Sequence, residues 1–182
     1  MPPIPVEQMT DAQRQAAEEI TAGPRGTLRG PFIPMLRSPE FMRRAQKLGE
    51  YLRFDTALPT AIKEFVILVI AAHHRQAYEW QVHCPLALQA GVARSVVEAL
   101  ATQQPPTNLS DAQQAAYDFV MQLVHTCYVD DAGYAALQQQ FGEQGVMDLI
   151  GMVGYYTMLA MVLNTAHSPL PEGAPPAFSI SK

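Results

Sequence analysis

Cysteine is scarce. Cys84 and Cys127 are the only two in 182 residues, and no Cys-x-x-Cys occurs. Two thiols cannot build a disulfide framework or a four-thiolate zinc site. Charge is scarce as well, at 16% of residues against a usual value of about 25%. An excess of base is missing: 12 Lys and Arg face 17 Asp and Glu, for a net charge of −5. That excludes the broad basic face of a nucleic-acid binder and a polybasic membrane anchor. The opening stretch MPPIPVEQMTDAQ carries no basic segment followed by an apolar run, so no signal peptide is expected and the expected location is the reducing cytoplasm. Strand and hairpin signals are absent, and so is any fixed-period repeat.

What is present is apolar residue, 48% of the chain. At this length one domain can bury roughly two-thirds of the surface of its unfolded form. Low charge beside so much apolar residue predicts surface hidden in an oligomer. Residues 145–163 (GVMDLIGMVGYYTMLAMVL) carry one charge, Asp148. The run is long enough to span a bilayer, but no Lys or Arg flanks it, and the preferred reading is a helix buried on all sides.

The remaining pattern is helical. A surface helix is expected over 7–21, followed by a Gly/Pro-broken loop over 23–34. Ser38 as N-cap with Pro39 behind it should open a second helix reaching about Arg53, with Phe41, Ala45, Leu48 and Leu52 on one face. Pro59 should open a third, apolar helix. Further helices are expected over 78–90, 93–102 and 110–126, the last begun by a Ser110/Gln113 capping box. A short helix from Asp130 or Asp131 to Phe141 should precede the apolar helix. The predicted fold class is all-α.

Chemistry concentrates in residues 64–91, EFVILVIAAHHRQAYEWQVHCPLALQAG. On two antiparallel helices joined near residues 75–77, Glu64 lies early on the first. Glu79 and His83 are four apart and share a face of the second. Two carboxylates, an imidazole and the Tyr78 phenol thus occupy an otherwise apolar window. Burial raises carboxyl pKa values and lowers that of histidine, while Glu–His contact does the reverse, so such a group can trade protons near neutral pH. The plain alternative is an i,i+4 pair beside a surface carboxylate. His73 and His74, being consecutive, point in different directions and read as structural or interfacial. Glu64, Glu79 and His83 are metal-compatible by type, but without His-x-x-x-His no metal site is expected.

Glu64-x-x-x-Leu68, then Tyr78-Glu79-Trp80-x-x-His83, then Ala87 and Gly91, resembles the signature of the carboxymuconolactone decarboxylase family, within the alkylhydroperoxidase-D-like (AhpD-like) superfamily. The resemblance covers roughly residues 38–125. It implies an AhpD-like helical bundle assembled as a trimer or hexamer, with no cofactor and a small-molecule substrate. It divides the chain into an N-terminal helix and Gly/Pro-rich arm (1–35), the family's helical domain (36–168) and an extended tail (169–182). The activity implied is decarboxylation of a small carboxylated lactone or related carbonyl acid. Glu64, Tyr78, Glu79 and His83 would be catalytic: His83 as proton or oxyanion donor, a carboxylate setting its protonation, Tyr78 donating to the oxyanion. Arg75, the nearest cation to the motif, would hold a substrate carboxylate or else face solvent from its loop, and Trp80 would lie in the core or form a pocket wall. The superfamily's peroxidase arm implies a second activity, thiol-dependent peroxide reduction. It uses Glu, Cys-x-x-Cys and His, but Gln76 and Glu79 stand where the two cysteines would be. A third reading, from a different class, is a helical oligomer with an inert site.

Overall fold

The computed structural model describes residues 1–170 and residue 178. Among these every regular element is helical. The order is α1 (Asp11–Ala22), α2 (Phe32–Met35), α3 (Pro39–Glu50), a π-helical turn (Tyr51–Asp55), α4 (Thr60–His73), α5 (Ala77–Gln89), α6 (Arg94–Ala101), α7 (Asp111–Thr126) and α8 (Asp131–Ala166).

Local chemistry accounts for most boundaries. The first helix starts at residue 11 rather than 7, because Thr10 caps it reciprocally with Gln13, satisfying two orphan N-terminal donors. Ser110 and Gln113 open α7 in the same way. Cys127 closes α7 in a left-handed conformation (φ 55°). The last two expected helices follow one another without a loop as α8, kinked at Gly142, whose φ of 68° and ψ of 178° are non-helical. That combination is tolerated essentially by glycine alone. The break lies one residue past the predicted end at Phe141.

Helix α4 is the centre of the molecule: Ile62 through Ala72 are all buried. It packs against α5, α7 and α8. Helix α8 is the only described helix long and apolar enough to cross a membrane, with a mean hydropathy of 1.7 over its most apolar stretch. More than half of that stretch is buried within the chain, against α4 and α7.

Two expectations about packing change. Residues 1–35 are not a separate arm: Ala16, Ile20, Phe32 and Met35 are buried in the same core as α4. The buried face of α3 is also rotated. Of the predicted face Ala45 and Leu52 are buried, but Phe41 and Leu48 are 44% and 48% exposed, while Met42, Gln46 and Gly49 are buried instead. The reason is Gly49. A Cβ at that position would overlap the Tyr155 hydroxyl of α8, so the glycine side of the helix faces inward to let tyrosine approach. The expected extended tail lies outside the described residues beyond 170, except Phe178, which is buried against Trp80.

Candidate active site

The short turn at His74–Gln76 folds α5 back along α4, with Arg75 adopting φ 49°. Glu64 and His83 thereby meet although nineteen residues apart. His83 Nδ1 lies 2.7 Å from Glu64 Oε2, and His83 Nε2 lies 3.4 Å from Glu79 Oε2 on the same face of α5. All three side chains are buried: Glu64 is 6% exposed, Glu79 5% and His83 3%. The arrangement is a buried carboxylate–imidazole–carboxylate chain. The edge of the Tyr156 ring meets the imidazole at right angles, with centroids 5.5 Å apart.

Burial by itself pushes the His83 pKa down. The hydrogen bonds and charges of Glu64 and Glu79 together outweigh that, so the pKa is raised above 6.5. Pairing with the two glutamates is what favours charge on the imidazole, since a buried charge persists only when paired. Tyr155 and Tyr156 stay protonated: burial, opposed by Arg25, raises Tyr155 to about 12, and burial together with Glu79 raises Tyr156 further.

Glu79 and His83 form the floor of a cavity of about 40 Å³, while Glu64 stands behind them. Tyr155 and Tyr156 form one wall, and Tyr78 lies nearer the rim beside Arg29. Arg25, Arg29 and Arg53 complete the lining. Arg53 is carried there by the π-helical turn, one wide loop of backbone of the sort that recurs at functional sites. The turn is pinned by the buried Lys63, whose ammonium donates to the Arg53 carbonyl at 2.9 Å.

Of the residues singled out from sequence, Glu64, Glu79, His83 and Tyr78 are brought to one place. Arg75 is not. It lies at the far end of α4 and reaches Gln103 at 3.4 Å; the helix reversal that brings Glu64 and His83 together leaves the turn itself at the opposite end. Trp80 is buried in the core against Phe178, with ring centroids 5.1 Å apart, rather than lining the cavity; it follows Glu79 by one residue and so faces about 100° away. Sequence reasoning missed Arg25, Arg29, Arg53, Tyr155 and Tyr156. The two tyrosines did carry a signal, as paired phenols inside an apolar run. The arginines of GPRGTLRGP carried only the weaker one of bases between turn-forming glycines.

Gln76 and Glu79 occupy the positions of the superfamily's cysteines in other roles. Gln76 caps α5 by accepting from the Tyr78 amide at 2.7 Å and donates to Asn164 at 2.6 Å. Cys84 and Cys127 are both free, and burial raises the Cys84 thiol pKa. No cluster of three or more His, Cys, Asp or Glu suited to a metal ion occurs among the described residues.

Residues 39–121 match the carboxymuconolactone decarboxylase family. No curated protein sequence matches the chain. Among solved structures it is similar to an uncharacterised peroxidase-related protein from Ralstonia eutropha with an alkylhydroperoxidase AhpD core. That match has a TM-score of 0.77 at 17% identity, covering 94% of this chain and 92% of the other. A protein of unknown function from Agrobacterium tumefaciens, linked by its description to AhpD antioxidant defence, is similar at a TM-score of 0.65 and 13% identity over 79% of this chain and 99% of that one. The hairpin that joins Glu64 to His83 lies wholly inside the segment that matches the carboxymuconolactone decarboxylase family, and the chain has a helical fold like that of the AhpD-core structures.

Proposed function

We propose that this protein is a cofactor-free carboxy-lyase acting on a small carboxylated lactone or related carbonyl acid. The observation that carries the reading is the buried Glu64–His83–Glu79 chain ending on the floor of a polar-walled cavity. In such a reaction the bond between a ring carbon and its carboxylate breaks and CO2 leaves. The electron pair moves through the conjugated system onto the lactone carbonyl oxygen, and a proton then returns to carbon. The imidazolium of His83 holds that proton at Nε2 beside the Glu79 carboxylate, so the pair delivers it at the cavity floor. Glu64 fixes the ring through Nδ1 and keeps the imidazole charged. The Tyr155 and Tyr156 phenols, protonated across the working range, are suited to donate to the developing oxyanion.

The names of the structural neighbours favour peroxide reduction instead. That route runs through a thiolate attacked by peroxide and a second thiol that resolves it. Gln76 and Glu79 hold those two positions, which supports the lyase reading. The inert reading calls for a filled core around His83, and the cavity there speaks against it.

The test is loss of substrate absorbance and release of CO2 across a panel of carboxylated five-membered lactones. His83→Asn should reduce turnover by about 10²-fold or more, the usual scale for a positioned acid–base group. Glu79→Gln should reduce the rate and alter its pH profile. Full activity in the His83 variant would sink the mechanism.

A further inference from the structure

The cavity over Glu79 and His83 is too small for the substrate just proposed. At about 40 Å³ it has room for little more than a water molecule, whose share of liquid volume is about 30 Å³. Sites for small organic ligands typically enclose a few hundred Å³. Something over the floor must move, and the lining identifies it. Arg25 and Arg29 both come from residues 23–31, which cross the cavity with no regular structure. That crossing is punctuated by Gly26 and Gly30, at φ 68° and 59°, and ends at Pro31. At Gly30 the backbone rests on the Tyr78 ring so closely that a Cβ would sit 2.7 Å from it. Gly26 has nothing within 4 Å of its Cβ position, so no neighbour is packed against the middle of the segment there.

The same segment carries two of the three arginines that line the cavity. None of Arg25, Arg29 and Arg53 makes an ion pair with a carboxylate among the described residues. Arg25 lies over the Phe32 ring, 4.7 Å from its centre, and one terminal nitrogen reaches the Tyr155 hydroxyl at 3.4 Å. Its Nε is buried with no hydrogen-bond partner. Leaving such a donor unmet is costly, and the side of a guanidinium formed by Nε and a terminal nitrogen is the edge that a carboxylate grips with two parallel bonds. Glu50 is the nearby alternative, since a Cβ at Gly23 would approach its Oε1 to 2.8 Å. That oxygen is itself buried and unpartnered, so it does not meet the Arg25 Nε.

Resting on the lyase reading of the floor, we infer that residues 23–31 are a strap that opens to admit substrate and closes to bring Arg25, together with Arg53 of the same lining, onto a substrate carboxylate other than the one lost. The reacting carboxylate and carbonyl then face Glu79, His83 and the two tyrosines. Arg25 and Arg53 are specificity-determining residues in this account: they select a dicarboxylate and exclude its monoacid or ester.

Binding can be read without turnover. The probes are furan-2,5-dicarboxylate, furan-2-carboxylate and the dimethyl ester of the diacid, titrated calorimetrically into the intact chain. The diacid should bind at least about tenfold more tightly than the monoacid, the value of one charge-assisted contact. Arg25→Gln and Arg53→Gln should each remove most of that preference, and Arg25→Lys, which keeps charge without the fork, should restore it only in part. Amide hydrogen exchange over residues 23–32 should slow when the diacid is bound. His83→Asn should keep the preference while losing turnover, which separates this inference from the reading it rests on. Equal binding of diacid and diester, no binding of the diacid at millimolar concentration, or an unchanged preference in both arginine variants would overturn the anchor. Unchanged exchange over 23–32 in a saturated complex would overturn the strap. Glu50→Gln guards against a structural explanation: if Arg25 served only as its counter-ion, both substitutions would lower thermal stability alike and leave the preference intact, which also counts against the proposal.

Discussion

His83 lies buried between two carboxylates, and that fixes how the protein should respond to pH. Its pKa in the folded chain is raised above the ordinary 6.5. The stabilisation it provides is therefore complete below about pH 6.5 and is lost as pH rises through the raised value. His73 and His74 behave oppositely. Burial lowers both, and for His73 the neighbouring imidazoles add to it. Their contribution is present above pH 6.5 and fades as pH falls through the lowered values. Urea unfolding followed across pH should show both slopes, and His83→Asn should abolish only the alkaline one. A wild-type stability flat from neutral pH upward would show that the imidazolium is not held. The cysteines give a second prediction at this scale. Cys84 is half-buried with a raised thiol pKa, and Cys127 is exposed at the end of α7. Replacing both with Ser should leave lyase turnover within a few-fold; loss of a measured hydroperoxide reductase activity in that variant would restore the peroxidase reading.

Helix α3 shows how one residue orients an element. By hydrophobic spacing it should bury Phe41 and Leu48. It turns them outward instead, because Gly49 must face α8 where Tyr155 and Arg25 close upon it. Gly49→Ala puts a methyl into the Tyr155 hydroxyl and should cost about 1–3 kcal/mol as an overpacking change. Leu48→Ala, on the face that periodicity would assign to the core, should stay within about 0.5 kcal/mol. Chemical denaturation of the two variants decides the point, and the reverse order would restore the periodic face. The same element continues into the π-helical turn that aims Arg53, so its orientation and the cavity lining are set together.

At the scale of the molecule, α3 and α8 each leave apolar side chains exposed. Phe41 and Met161 line one shallow groove, and Leu48, Phe54, Met147 and Ile150 are also exposed. So much exposed apolar side chain on a chain of low charge is the ground for proposing an association surface. The expected outcome is self-association, with a trimer or hexamer as the family resemblance implies. Light scattering at micromolar concentration should give a mass above that of one chain, and Phe41→Glu with Met161→Glu should reduce it. A sharp monomer peak from the unaltered protein would end the idea.

Local chemistry was legible in the sequence throughout this molecule. The capping box at Ser110, Pro39 at a helix start and the apolar period of α4 each act within a few residues, so the all-helical class and most boundaries follow from them. The spacing of Glu64, Glu79 and His83 was legible for a related reason: a short turn between two helices leaves only the antiparallel return, and that return pairs residues at matched distances from the turn. The tertiary structure decided what depends on elements far apart in the chain. It turned α3 about Gly49, left Arg75 away from the cavity and lined it with Arg25, Arg29 and Arg53, placed Trp80 against Phe178, and set Tyr156 of α8 against the imidazole. Those placements depend on which side chain fits against which backbone across more than a hundred residues, and no local period or cap encodes that fit.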